Sequence, residues 1–288
     1  MAQLNQKIAI VTGAGGGFGQ GIASAYIQEG ARVIVADIHA QAAQQVAQSL
    51  GANASAFTCD VSKGDQVKAL VAHCVATFGV PDIVVNNAGT THKNRPMLEV
   101  DEAMFDKVFA VNVKSIFHMA HAVVPLMRQQ QRGVILNIGS VAGIRPRPGL
   151  SWYNASKGAV NVLSKSMAVE LGPENIRVNA ICPVMGVTGL FEDFMGLPDT
   201  PANRAKFVST IPLGRFSQAS DVAAAAVFLA SDAAEFFTGL EMPVDGGRTI
   251  GCTRLTPTHW RICKAGKVRP KPGMTRSPLR RCTPCRRC

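Results

Sequence analysis

The sequence has no apolar run near the ~20 residues that a membrane-spanning helix needs, so no membrane association is expected. Its opening, MAQLNQKIAIVTGAGGG, lacks the charged stretch, apolar stretch and cleavage site of a secretory leader. The expected compartment is therefore the cytoplasm. Residues 1–250 also lack any charge excess. Of the 30 Lys and Arg, 11 fall in residues 251–288, which hold no acid; 30 less 11 leaves 19 basic against 19 acidic residues in the body. The formal net charge of +11 belongs to the tail, so nucleic acid is not an expected partner of the body. Cysteine is sparse there too. Cys59, Cys74 and Cys182 are too scattered for a disulfide framework and read as small buried apolar residues. Cys252, Cys263, Cys282, Cys285 and Cys288 crowd the end, but Cys282-x-x-Cys285-x-x-Cys288 lacks the second paired ligand set of a zinc finger. No metal is expected.

What is present is enough chain for one large core: 288 residues, 47% of them hydrophobic. Short β-branched apolar runs at 7–12, 32–36, 55–58, 82–86, 133–138, 176–182 and 240–244 read as strands. The better ones are apolar almost throughout, as in a parallel sheet covered on both faces. Helical patterns lie between them near 17–29, 39–50, 64–78, 101–130, 153–172 and 220–231. This alternation implies right-handed crossovers and a doubly wound α/β fold in one domain over 1–250. Residues 183–215, with Phe191, Phe194, Met195 and Phe207 and no strand, suit a helical flap over a site. Residues 251–288 show no periodicity and read as an appended segment, disordered or artefactual.

Residues 12–19, TGAGGGFG, fall between the first strand and the first helix. Gly13 suits a tight turn; Gly17 and Gly19 let backbone approach a pyrophosphate, which would rest at the helix N-terminus. Asp37 closes the second strand, where a carboxylate accepts from a ribose 2′-hydroxyl and repels a 2′-phosphate. Ile38 and His39 follow it, so no adjacent cation offers a phosphate partner. The cofactor expected is NAD rather than NADP. A helix N-cap is the plainer role for the same aspartate.

The strand at 133–138 runs into Gly139-Ser140, and a helix opens with YNASK at 153–157. Tyr153 and Lys157, four apart, share a helix face. Hydride transfer to a carbonyl leaves an alkoxide that needs a proton. A tyrosine supplies it if a neighbouring ammonium stabilises its phenolate, and Ser140 is placed to bond the same oxygen.

These segments together with Asp60-Val61, NNAG (86–89), Asn112 and PVDGG (243–247) resemble the short-chain dehydrogenase/reductase family, over about 1–250. The resemblance implies a seven-stranded parallel sheet, a homotetramer and oxidoreduction of an alcohol/carbonyl substrate. It implies catalytic roles for Asn112, Ser140, Tyr153 and Lys157, with Asn112 holding a water that links Lys157 to solvent. It places Thr12, Gly13, Gly17, Phe18, Gly19, Asp37, Ile38, Asp60, Val61, Asn87, Ala88, Gly89, Tyr153, Lys157, Pro183 and Thr188 against the cofactor. One departure is PVMGVT at 183–188, where Val184 replaces the usual glycine. Within the family the chain is similar to members acting on an aromatic aldehyde and to 3-oxoacyl-carrier-protein reductases. Leu150, Trp152, Phe191, Phe194 and Met195 would make the substrate pocket apolar. Arg145 and Arg147 read as solvated loop cations, with an anionic substrate group as the alternative partner.

Overall fold

The protein is described from a computed structural model covering residues 2–186 and 191–251. Seven strands form one parallel sheet in the order β3-β2-β1-β4-β5-β6-β7: β1 Ile8–Thr12, β2 Arg32–Asp37, β3 Ala54–Thr58, β4 Ile83–Asn86, β5 Gly133–Ile138, β6 Ile176–Pro183 and β7 Glu241–Val244. The expected fold class and strand count are both found.

Strand alternation divides the core in two. Ala9 and Val11 of β1 face one side and Ile8 and Ile10 the other, because successive side chains leave a strand on opposite faces. On the first side pack α1 (Gly17–Gln28), α2 (Ala40–Leu50) and α9 (Ala219–Ala230). On the second pack α3 (Gly64–Thr77), α5 (Ser115–Gln130) and α6 (Ser151–Leu171). Cys59, Cys74 and Cys182 are free, buried thiols. Burial pushes the last two up to about 12, which keeps them protonated and inert.

The expected single helix at 101–130 is interrupted. Asp101 caps α4 (Glu102–Phe109) by accepting from the Met104 amide, and a π-turn over Ala110–Lys114 separates α4 from α5. Contrary to expectation, an 18-residue window within Glu102–Gln130 reaches a mean hydropathy of 1.2, long and apolar enough by composition to cross a membrane. In the fold it instead sends Ile116, Met119, Val123 and Met127 into the core against the sheet. The stretch after β6 is helical, as expected for a flap: α7 spans Phe191–Met195 and α8 Pro201–Val208, the latter capped by Thr200.

Tyr26 on α1 is fully buried, and its hydroxyl donates to the Ala226 carbonyl of α9 at 3.2 Å. Tyr26→Ala is expected to lower unfolding free energy by about 3–5 kcal/mol and Tyr26→Phe by about 1 kcal/mol, measured by urea denaturation.

Candidate active site

All strands point their carboxyl ends to one edge, and the chain's progression across the sheet reverses between β1 and β4. The loops leaving those strands diverge and open a crevice there. Thr12, at the end of β1, pins the two loops together. Its hydroxyl accepts from the Asn87 and Ala88 amides, while Asn87 Nδ2 donates to the Thr12 and Gly13 carbonyls at 2.8 and 2.9 Å. The approach leaves no room for a side chain at Gly13 or Gly19. A Cβ on Gly13 would stand 2.8 Å from Ala88 Cα, and one on Gly19 would stand 2.2 Å from the Gly13 carbonyl oxygen. Gly13 also adopts a φ of +62°, where glycine is favoured.

A cavity of about 670 Å³ runs along this edge, from Asp37 and Asp60 at the ends of β2 and β3 to Ser140, Tyr153 and Lys157 beyond β5. Gly16, Gly17 and Phe18 line it where α1 begins. Gly16 gives that helix no side-chain cap, and a Cβ there would meet nothing within 4 Å. Uncapped first-turn amides over open space fit a pyrophosphate. Asp37 accepts from the Gly15 and His39 amides, both at 2.9 Å, which fixes its carboxylate on the wall. Asp60 is similarly held by Ser62, whose hydroxyl donates to Oδ1 at 2.7 Å. The residues present therefore fit a dinucleotide laid along the sheet edge.

At the other end, Lys157 is buried and its ammonium donates to the Ile138 carbonyl at 2.7 Å. Burial takes its pKa down to about 8. Burial pushes Tyr153 up to about 12, while the Ser140 side chain pulls it the other way. The downward pull on Tyr153 comes from Ser140 rather than from Lys157 as expected, and the ammonium lies 6.0 Å from the Tyr153 ring centre. Ser140 Oγ accepts from the Ala142 amide at 3.1 Å, which leaves its proton to donate. Glycine makes this corner possible: a Cβ on Gly143 would stand 2.7 Å from the Lys157 backbone, and one on Gly139 would stand 2.2 Å from Asn161 Oδ1.

Asn112 sits in the π-turn behind the wall. It donates to the Thr90 carbonyl at 2.9 Å and to Ser156 Oγ at 3.0 Å, and accepts from the Thr90 amide at 2.8 Å. Gly89 lies beside it, where a Cβ would be 3.4 Å from Asn112 Oδ1 and 3.5 Å from Lys157 Nζ.

Gly13, Gly17, Phe18, Asp37, Ile38, Asp60, Val61, Asn87, Ala88, Gly89, Ser140, Tyr153, Lys157 and Pro183 all line the one cavity. Thr12, Gly19 and Asn112 stand behind it as supports. Thr188 and the tail from Cys252 onward lie outside the described residues. Val184, in place of the usual glycine, and Gly186 are on the wall; a side chain on Gly186 would strike the Phe18 ring at 2.7 Å.

The substrate side differs in part from expectation. Leu150, Phe194 and Phe207 line the cavity, but Trp152, Phe191 and Met195 do not. Trp152 donates to the Met97 carbonyl and meets Phe105 edge-on, and Phe191 packs against Phe216. Met185 and Arg248 are wall residues that sequence reasoning missed. Arg248 directly follows the PVDGG motif, and that adjacency was the available signal. Asn94 was missed as well. Its Nδ2 bonds the Pro148 and Phe194 carbonyls, tying the loop after β5 to the flap.

A family profile described as enoyl-(acyl carrier protein) reductase matches residues 13–249. The chain belongs to the short-chain dehydrogenase/reductase family. It is 49% identical over 250 residues to 4-formylbenzenesulfonate dehydrogenase of Comamonas testosteroni, covering 86% of this chain and 99% of that one. It is 37% identical over 251 residues to a 3-oxoacyl-[acyl-carrier-protein] reductase of Thermotoga maritima, covering 86% of this chain and 100% of the relative. Its fold superimposes with a TM-score of 0.82 on the crystal structure of 3-ketoacyl-(acyl-carrier-protein) reductase from Brucella melitensis complexed with NADH. The two are 41% identical, over 86% of this chain and 100% of that one. The short-chain dehydrogenase is thus an oxidoreductase with a nicotinamide-dinucleotide-binding fold.

Lys157 titrates lower in the fold, about 8, than its ordinary 10.5, so between those values the unfolded chain binds the extra proton and stability rises with pH. Urea unfolding of the protein alone should show wild type gaining on Lys157→Met between pH 8 and 10. Parallel profiles would contradict the buried ammonium.

Proposed function

We propose that the chain is an NAD(H)-dependent enzyme that transfers hydride between nicotinamide and an alcohol/carbonyl substrate, an aromatic alcohol or aldehyde. The observation that carries this is the convergence of Ser140, Tyr153 and Lys157 on the same cavity that holds Asp37 and the glycine cradle. Bound nicotinamide supplies or accepts the hydride. Ser140, with Oγ already accepting from Ala142, donates to the substrate oxygen and orients it. Tyr153 gives its proton to that oxygen in reduction and takes it in oxidation. Lys157, anchored to the Ile138 carbonyl, keeps further N–H donors for a ribose and for the phenolate. Both Asn112 amide hydrogens are donated to protein, but Oδ1 accepts a single bond. A water donating to that oxygen and accepting from Lys157 across Gly89 completes a proton relay.

Asp37 sets the cofactor choice. Its oxygens each accept one backbone bond and retain a lone pair for a ribose hydroxyl, and a 2′-phosphate would face a fixed negative charge. The aromatic substrate class rests on the apolar side chains of Leu150, Phe194 and Phe207, and on the 49%-identical relative, whose name specifies an aromatic aldehyde. A 3-oxoacyl thioester is the second reading, favoured by the reductase relatives. We further infer a homo-oligomer, consistent with a tetramer. Apolar Phe117 on α5, with Val162 and Val169 on α6, is exposed on the protomer.

Tyr153→Phe should lower kcat at least about 100-fold while leaving NADH binding, read by fluorescence titration, within a factor of about 3. Turnover near wild type would remove the tyrosine from the proton transfer. Steady-state comparison should give NAD⁺ a kcat/KM at least about 10-fold above NADP⁺, with Asp37→Ser narrowing the gap. Equal use of the two cofactors by wild type would contradict the role given to Asp37.

A further inference from the structure

We propose that Arg147 and Arg248 form a subsite for an oxyanion on the substrate, remote from its reacting carbonyl. This rests on the reading of the cavity as an alcohol/carbonyl active site and names the kind of substrate it takes. Both guanidinium carbons stand over the ring of Phe207, at 4.8 and 5.0 Å from its centre, and all three residues line the cavity together with Ser140 and Tyr153. Phe207 belongs to the same buried apolar cluster as Val141, the residue after Ser140.

Neither guanidinium forms an ion pair with a carboxylate among the described residues, although Asp245 is near enough to raise Arg248 electrostatically. The half-buried Arg147 guanidinium makes no hydrogen bond or ion pair among the described residues. Arg248 donates to Thr210 Oγ1, and Arg145 donates to the Arg248 carbonyl. Asp245 is turned to other partners, the Gly247 and Thr249 amides and the Thr249 hydroxyl. The carboxylates on the cavity wall are Asp37, the last residue of β2, and Asp60, just after β3, at least three strands from β5. At about 4.8 Å per strand that is roughly 14 Å or more. Neighbouring arginines contrast with this: Arg204 pairs with Asp199 and Arg215 with Asp221.

Two adjacent guanidiniums withdrawn from water raise each other's energy, and burial together with Arg248 lowers Arg147 to about 10. An anion between them reverses that penalty and satisfies donors that cation–π contact with Phe207 leaves unused. The cofactor's phosphates belong elsewhere, on the α1 amides after β1, two strands from β5. An aryl body between Phe194, Leu150 and Phe207 would join the oxyanion to the carbonyl. The substrate class is therefore an aromatic aldehyde or alcohol carrying a carboxylate, sulfonate or phosphate.

The test compares reduction of 4-formylbenzoate, 4-formylbenzenesulfonate and the neutral methyl 4-formylbenzoate by NADH, in wild type, Arg147→Gln, Arg147→Lys and Arg248→Gln. Wild type should prefer an anion over the ester by about 10- to 100-fold in kcat/KM. Each glutamine variant should shrink that ratio, and lysine should restore part of it. Calorimetric binding of the unreactive 4-methylbenzoate to the NADH-loaded protein should weaken by a similar factor in Arg147→Gln. Equal use of acid and ester by wild type, or a ratio unmoved by both glutamine variants, overturns the subsite. So does an Arg147→Gln that weakens NADH binding instead, which would assign the arginine to the cofactor. If no aldehyde turns over but Arg147→Gln abolishes 4-methylbenzoate binding with NADH affinity retained, the subsite stands and the proposed reaction falls.

Discussion

Lys157 is a buried ammonium with a carbonyl, not a carboxylate, as its protein partner, and much of the site is arranged to hold it there. Moving a charge out of water costs several kcal/mol, and one hydrogen bond to Ile138 does not offset that. The helix carrying it is therefore fixed to the sheet by other means. Asn137 of β5 donates to Ser164 of α6 at 2.9 Å, Asn86 of β4 donates to Asn137 at 2.8 Å, and Asn161 of α6 donates to Glu241 of β7 at 2.7 Å. These buried polar rungs set the rotation and height of α6. Because Tyr153 lies one turn before Lys157, the same rungs place its hydroxyl at the end of β5. An apolar interface would bind the helix as tightly but would tolerate sliding, and sliding would move the tyrosine.

The π-turn at Ala110–Lys114 answers to the same constraint. A regular helix through 101–130 would carry its side chains past the site at an even 3.6-residue pitch. The extra residue in the turn brings Asn112 against Ser156 of α6 and the Thr90 backbone. One side chain thereby joins the helix behind the site to the loop after β4 and to α6. Such turns are weaker than α-helix and recur at functional sites.

Much of this was legible in the sequence, and the parts that were not have a common cause. Strands β1, β2, β4, β5 and β6 announce themselves because burial on both faces demands unbroken apolar runs. TGAGGGFG and YNASK are legible because close backbone approach and a shared helix face each require particular residues at fixed spacing. The π-turn left no trace: AVNVK is as compatible with α-helix as with the wider turn, and tertiary bonds to Asn112 decide between them. Trp152 and Phe191 looked like pocket residues because apolar character does not say which way a side chain points. Arg248 was overlooked for the opposite reason. Its one local signal is adjacency to PVDGG, and its place beside Arg147, 101 positions away, comes from the Phe207 ring that both cover.

The charges along the cavity now follow the sheet order. Asp37 and Asp60 stand at the β2 and β3 end, and Lys157, Arg147 and Arg248 at the end beyond β5 and β7. A neutral body can therefore be strongly polar inside its active site, a property that summed composition hides. Acids at the proposed ribose end would select by exclusion, since a 2′-phosphate would meet them at close range and low dielectric. Cations placed beyond the tyrosine would, on the proposed reading, attract and orient an anion. The group that pulls on the Tyr153 proton is Ser140, at the other end of that substrate. Arginines that would hold the far end of a substrate therefore act on the reaction through position, by fixing where its near end meets Ser140 and Tyr153.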